Sequence, residues 1–348
     1  MKEMCIDVRM ALHSGIGTYI RNIIPALSNV FKLKLICHPD LIDGWPFLRQ
    51  SDLITTSCPI YSVQEQVILP FLVPSCDIFW SPHYNFPWAP LRAKKKIVTI
   101  HDVYHLTGPL NILKRWYARQ MVRKAVQQAD QIVTVSRFTQ GELVKFNRGS
   151  EKKISIIPLG VDSARFSPSN SHDEVKLKYQ LPDRYFLYVG NLASHKNIGR
   201  LLIAWDLIRE KLPGTKLVLV TKNKIELPEG ILLLNHVLDE ELPTLYAHAR
   251  ALIHPSLYEG FGLTPLEAMS CGCPVIVSKV ASLPEVCTDS VLYIDPYKIE
   301  EMAAAMEKLS QDDHLRAELI KKGLQRSEMF SWEKTVEAHI KIFMEEKR

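Results

Sequence analysis

Short apolar runs alternate with helix-patterned stretches along this chain, and the alternation lapses once and then restarts. Strand-like runs at Cys5 to Met10, Leu33 to Cys37, Asp77 to Trp80, Ile97 to His101, Ile132 to Val135 and Ile154 to Ile157 fill the first half. Helix patterns at Thr18 to Ser28, Ile112 to Gln128 and Phe138 to Phe146 lie among them. From Pro158 to Pro182 the chain turns polar and proline-rich, a linker signature. Strands return at Tyr185 to Val189, Lys216 to Val220, Arg250 to Pro255, Val275 to Val277 and Val291 to Ile294. Helices are expected at Ile198 to Lys211, Leu266 to Ser270, Ile299 to Leu309 and His314 to Lys322, with an amphipathic one at Trp332 to Glu346. The link from Val220 to Leu232 is short. Strands separated by helices pair in parallel, because a crossover is needed to bring the chain back to the same edge. The expected class is α/β, with two parallel sheets in two domains.

A chain of 348 residues, 47% of them hydrophobic, can fill two separate cores. The formal net charge of +5 suits an anionic ligand or an anionic membrane surface and is too small to argue for nucleic acid. Met1 to Cys5 runs straight into a strand pattern, so no signal peptide is expected. The greasiest stretch, Val67 to Pro74, is too short to span a bilayer and carries two prolines. Seven scattered cysteines form no C-x-x-C pair. They read as buried free thiols of a reducing compartment, hence a cytoplasmic protein, soluble or peripheral on the inner membrane.

Glu259-Gly-Phe-Gly-Leu-Thr-Pro-Leu-Glu267 sets two carboxylates eight positions apart around a glycine loop that opens a helix. Thr264 reads as the N-cap, Pro265 as the first helical residue and Glu267 as the third. Free N–H groups and the positive end of the helix dipole then lie beside Gly260 to Thr264, a place suited to a pyrophosphate. Two readings of Glu267 stand: a carboxylate for neutral hydroxyls of a phosphate-bearing ligand, or the partner of Thr264 in a capping box.

From Ser256 to Val275 the sequence resembles the Glu-x7-Glu signature of the retaining glycosyltransferases of family 4. The similarity reaches Gly15-Ile-Gly17, Thr99-Ile-His-Asp102, Val133-Thr-Val-Ser136, Ile157-Pro-Leu-Gly-Val-Asp162, Tyr188-Val-Gly190, Lys196-Asn197 and Leu283-Pro-Glu285. It looks closest to the branch holding many bacterial mannosyltransferases. The resemblance implies the GT-B fold, two Rossmann-like α/β/α domains facing a central cleft. Residues 1–162 would take the acceptor and 163–330 the nucleotide-sugar donor, while 331–348 would cross back as a helix onto the first domain. The implied reaction moves a hexosyl group with retention to a glycan or lipid-linked acceptor in polysaccharide and cell-envelope biosynthesis. Mannose from GDP-mannose is the foremost donor. A UDP-hexose or UDP-N-acetylhexosamine donor, or a catalytically impaired sugar-nucleotide-binding relative, is the alternative.

By the same resemblance, His101 lies near the transferred sugar, Lys196 neutralises the leaving diphosphate and Glu259 binds a sugar hydroxyl. The donor set comprises Gly15, Gly17, Gly190, Asn191, Lys196, His236, Gly260, Phe261, Gly262, Leu263, Thr264 and Glu267, with Glu267 on the ribose. Asp102 is read as a partner or loop-forming residue. Asn191 and His195 stand where many members carry arginine, which removes one or two fixed charges from the phosphate site. No Asp-x-Asp occurs, so a metal-free reaction without a cofactor is expected.

Gly15-x-Gly17 also admits a dinucleotide site, but Ile20 replaces the third glycine and no acid closes the Leu33 to Cys37 strand. That rival is set aside. Ile112 to Lys124 mixes basic and apolar residues without separating them cleanly into faces. It reads as an ordinary surface helix, with contact to an anionic bilayer as the alternative.

Overall fold

The computed structural model describes residues 1–108, 111–223, 225 and 227–346. Positions 224 and 226 of the short link, and the last two of the expected terminal segment, 347 and 348, lie outside the described residues. The chain divides into two compact units, Met1–Leu159 with Trp332–Arg348, and Gly160–Ser331. The division precedes Asp162 because Val161 bridges to Ser331 within the second unit.

In the first unit, β1 (Glu3–Asp7), β2 (Lys32–Cys37), β3 (Asp52–Thr55), β4 (Cys76–Ser81), β5 (Ala93–Ile100), β6 (Gln131–Thr134) and β7 (Ile154–Ile156) are ordered β3-β2-β1-β4-β5-β6-β7. Every pairing among them is parallel. In the second unit, β8 (Arg184–Val189), β9 (Thr215–Val220), β10 (Ile231–Leu234), β11 (Ala251–His254), β12 (Val275–Ser278) and β13 (Leu292–Ile294) repeat the pattern as β10-β9-β8-β11-β12-β13. Both sheets are doubly wound and reverse direction once, between β1 and β4 and between β8 and β11. Ligands of such sheets bind at the carboxyl ends of the strands flanking the reversal.

The expected elements need correction at several points, among them short helices at Asp173–Lys178, inside the expected linker, and at Leu242–His248. The reading lacks the edge strands β3 and β10: each is only four residues long, and β3 (Asp-Leu-Ile-Thr) has little apolar pattern. A helix at Val63–Leu72 was also not anticipated, although the Ser62 side chain caps it by accepting from Glu65 N–H at 3.1 Å. Pro70 within it lacks the N–H that would bond Gln66 O, and this breaks the helical pattern in the sequence. The first helix starts at Ser14 instead of Thr18, so Gly15 and Gly17 lie in its first turn and not in a loop. β1 ends at Asp7, because a turn closed by Ala11 N–H on Val8 O takes over.

The Trp332–Met344 helix belongs to the first unit and packs on the Ser14–Leu27 helix. A buried hydrogen-bond chain ties them. Trp80 Nε1 donates to Thr99 Oγ1 at 3.0 Å, and Thr99 Oγ1 lies 3.0 Å from Tyr19 Oη. Tyr19 Oη is 2.6 Å from His339 Nε2, and His339 Nδ1 reaches Thr335 O at 2.7 Å. A carbonyl only accepts, so Nδ1 carries the proton, Nε2 accepts from tyrosine, and the hydroxyls point one way. Burial lowers the His339 pKa to about 4, which keeps the ring neutral for this role. Among the described residues, no helix is long and apolar enough to cross a membrane.

Candidate active site

The loops after β8 and β11, at the reversal of the second sheet, carry Lys196 and Glu259. After β8, Tyr188 Oη donates to Asn191 O at 2.6 Å, and a Cβ on Gly190 would stand 3.2 Å from that hydroxyl. Asn191 is exposed, and its Oδ1 accepts from Ala193 N–H at 3.1 Å, so its side chain shapes the turn. Asn197 is buried in left-handed backbone at φ 61°. Its Nδ2 donates to Pro255 O at 3.1 Å and Pro296 O at 2.8 Å, and Leu257 N–H donates to His195 O at 2.7 Å. These bonds staple the loop after β8 to the loops after β11 and β13.

The staple delivers Lys196 to Glu259. Lys196 Nζ lies 2.7 Å from Glu259 Oε1, with side-chain exposures of 19% and 14%. The same oxygen is 2.8 Å from Nε2 of buried His254, and Ser256 Oγ is 3.3 Å from that nitrogen. Burial opposes charge on Glu259, but Lys196 and His254 outweigh it and hold the carboxyl well below the usual range. Ser282 Oγ lies 2.9 Å from both Glu259 O and Phe261 O, which fixes the backbone between them.

That backbone leads into the Leu263–Ser270 helix, whose N-cap is Gly262 at φ 114° and not Thr264. A Cβ on Gly262 would meet Leu283 Cδ2 at 2.9 Å. Pro265 is therefore the third helical residue and Glu267 the fifth, and no side chain caps the helix. The capping-box reading fails because the box needs Thr264 outside the helix. The first-turn N–H groups, including those of Leu263 and Thr264, have no acceptor within the helix. Phe261 is buried edge-on to Phe330, and Gly260 is half-buried. Glu267 Oε2 accepts from Tyr246 Oη at 3.3 Å. Burial pushes its pKa up to about 7, with Arg165 and the Tyr246 bond offsetting only part and Asp239 adding to the rise. His236 follows β10, is exposed, and receives Tyr179 Oη on its carbonyl at 2.9 Å. Among the described hydrogen bonds, none joins its ring to Lys196, Glu259 or Glu267.

His101, Gly15 and Gly17 belong to the first unit. His101 follows β5, and its Nε2 donates to Pro82 O at 2.9 Å. Burial lowers its pKa to about 4, so the ring is neutral with Nδ1 free to accept. Tyr19 packs edge-on to it at 4.7 Å. Asp102 Oδ1 accepts from Tyr104 N–H at 2.9 Å, as a loop-forming residue does. Gly17 is required by packing, since a Cβ would stand 2.6 Å from Ala11 O, whereas nothing lies within 4 Å of one at exposed Gly15.

Family models for glycosyl transferases group 1 and for Glycosyltransferase Family 4 match residues 171–326 and 64–165. O-antigen chain mannosyltransferase B of Escherichia coli is 35% identical over 74% of this chain and 71% of its own length. The chain belongs to the group 1 glycosyl transferases.

A serotype-specific mannosyltransferase of Escherichia coli, WbdA, is 28% identical over 75% of this glycosyl transferase, a match spanning only 34% of WbdA. The fold is GT-B. Anabaena HepE, solved in complex with UDP and glucose, superposes with a TM-score of 0.78 at 15% identity over 98% of this chain and 99% of that one. Hexosyl transfer is the activity of the family to which the chain belongs.

In this glycosyl transferase, sequence reading missed His254 and Ser282, although His254 stands at the end of a buried strand five residues before Glu259. It also missed a buried charge network where β1 and β4 diverge. Arg9 Nη2 lies 2.6 Å from Asp7 Oδ2 and also bonds Glu65, and His83 Nε2 is 3.2 Å from Asp7 Oδ2. The Asp7-Val-Arg9 pair at the end of a buried strand was the available signal. Among the described residues, no group of three or more His, Cys, Asp or Glu side chains is placed to hold a metal ion.

Proposed function

We propose that this enzyme transfers mannose from GDP-mannose to a glycan or lipid-linked acceptor with retention of configuration. The observation that carries the reading is the Lys196–Glu259–His254 cluster at the strand reversal, beside the helix that opens at Gly262. Likeness to O-antigen chain mannosyltransferase B supports mannose as the sugar.

In the proposed complex, N–H groups of Gly262 to Thr264 and the ammonium of Lys196 take the diphosphate. Glu267 takes the ribose hydroxyls and Glu259 a sugar hydroxyl. The reading assigns no nucleophile to the opposite face of the sugar. The bond from the anomeric carbon to the phosphate oxygen breaks, and the acceptor oxygen bonds that carbon on the same face. The acceptor proton passes to the departing phosphate, and the nucleoside diphosphate leaves. The reaction is proposed to need no metal.

The test is titration calorimetry with GDP-mannose, GDP, UDP-glucose and UDP. Binding of the guanine nucleotides at least tenfold tighter than the uracil ones supports the reading. The reverse preference would replace the donor with a UDP-hexose.

A further inference from the structure

His339 is a fully buried histidine that the transfer chemistry above leaves unused. Its helix is pinned near both ends, since Thr335 Oγ1 donates to Pro158 O at 2.9 Å and Lys95 Nζ to Glu345 O at 2.7 Å. Midway, His339 Nε2 accepts from Tyr19 Oη, whose residue is also fully buried. The Trp80 ring packs on both, 5.8 Å from that of Tyr19 and 5.7 Å from that of His339.

Stability alone does not require this arrangement. Apolar side chains of the same shapes at positions 19 and 339 would fill the space with no polar group to satisfy, and such exchanges can be neutral or stabilising. What a buried, fully satisfied polar chain adds is one unique arrangement. Tyr19 Oη accepts from Thr99 Oγ1 and donates to His339 Nε2, so the phenol has two partners and one orientation.

The ring that Tyr19 orients is that of His101. The two stand 4.7 Å apart at 87°, an edge-to-face geometry that aromatic quadrupoles favour. His101 is half-buried just past the carboxyl end of β5, the sheet edge where ligands of such folds bind. Its Nε2 is held by Pro82 O, and Tyr19 packs against the ring so that it does not swing about that bond. Nδ1 is left in a fixed place as an acceptor.

We propose that Tyr19 and His339 are positioning residues for His101, and that the terminal helix thereby fixes the nitrogen that accepts from a hydroxyl of the reacting sugar. The sugar hydroxyl belongs to the transfer reading above, on which this assignment rests. Orientation of the ring is measurable without any sugar nucleotide, so failure of the donor reading leaves that measurement standing.

The experiment labels the histidines with nitrogen-15 and reads their ring nitrogens by NMR at pH 7. Peaks are assigned by those lost in His101→Gln and His339→Gln. In the wild type, His101 should show one neutral Nε2–H tautomer and His339 one neutral Nδ1–H tautomer. Tyr19→Phe keeps the ring and removes the hydroxyl, and the His101 peaks should broaden or split. Turnover is then measured with whichever nucleotide sugar binds in calorimetry. Tyr19→Phe and His339→Leu should each lower kcat by about tenfold or more and leave KM for the donor within about threefold. Val336→Ala loosens the same helix without touching the hydrogen-bond chain and should keep wild-type turnover. An Nδ1–H tautomer at His101, or unchanged His101 peaks or kcat in Tyr19→Phe, overturns the assignment. So does an equal loss of kcat in Val336→Ala, which would make helix packing the cause.

Discussion

Lys196 Nζ donates to Glu259 Oε1 at 2.7 Å, so two residues assigned to different parts of the donor are partners in the free protein. Donor binding must then exchange one set of contacts for another. In the proposed complex, charge growing on the phosphate as the sugar departs would offer Lys196 a stronger partner than Glu259, while His254 would still hold the carboxylate.

Lys196→Ala should therefore lower turnover by at least ~100-fold, about the loss of one strong oxyanion donor. It should also lower thermal stability, because a mostly buried carboxylate loses its fixed charge, and Lys196→Ala with Glu259→Gln should regain part of that stability. Steady-state turnover and melting temperatures of the two variants decide the matter. Near-normal turnover in Lys196→Ala would remove the lysine from the phosphate site.

Glu267 makes an opposite prediction for stability and binding. Its folded pKa of about 7 lies above the unfolded value near 4.5, so the folded state holds the extra proton between these pH values. Stability contributed by this group falls as pH rises through that window. Glu267→Gln should thus melt like the wild type at pH 5 but higher at pH 8, by about 1–2 kcal/mol. Donor affinity should fall, since a charged acceptor for ribose hydroxyls is lost, by ~2 kcal/mol. Equal donor affinity in both proteins would sink the ribose assignment.

Glycine variants separate packing from conformation. Gly262→Ala at φ 114° and Gly17→Ala against Ala11 O should each cost about 1–3 kcal/mol. Gly15→Ala has open space and should change stability by no more than about 1 kcal/mol, in the favourable direction. Chemical denaturation of the three variants gives the comparison.

The hydrogen-bond chain through His339 predicts acid sensitivity in the first unit. Tyr19→Phe removes the donor to buried His339 Nε2 and should cost about 1–3 kcal/mol at pH 7.5. The folded pKa of His339, about 4, lies below its usual 6.5, so the unfolded chain takes up protons first. Its stabilising contribution is complete above about pH 6.5 and is lost as pH falls toward 4. The melting-temperature gap between wild type and His339→Gln should therefore narrow from pH 7.5 to pH 5. A constant gap would show that the ring is not held neutral.

Turnover should survive excess chelator with only modest loss, given the missing Asp-x-Asp and the lysine offered to the diphosphate. Complete loss, restored by one divalent metal, would require a metal in the reaction.

The sequence alone determined the two parallel sheets, because apolar runs and helical spacing are local patterns that survive in a linear reading. It also placed Lys196 and Glu259 beyond strand ends, since glycines and prolines mark those ends directly. Edge strands β3 and β10 escaped because each is four residues long, too short a run to tell a strand from a link by local pattern. The start of the Leu263–Ser270 helix escaped because left-handed Gly262, and not a side-chain cap, sets it. Only the tertiary structure decided that Lys196, Glu259 and His254 share one oxygen, or that Asp7, Arg9, Glu65 and His83 form one buried network. Charges far apart in the chain become partners through strand order, and strand order is set by how helices cross over the sheet. Nothing in the local spacing of residues encodes that crossing.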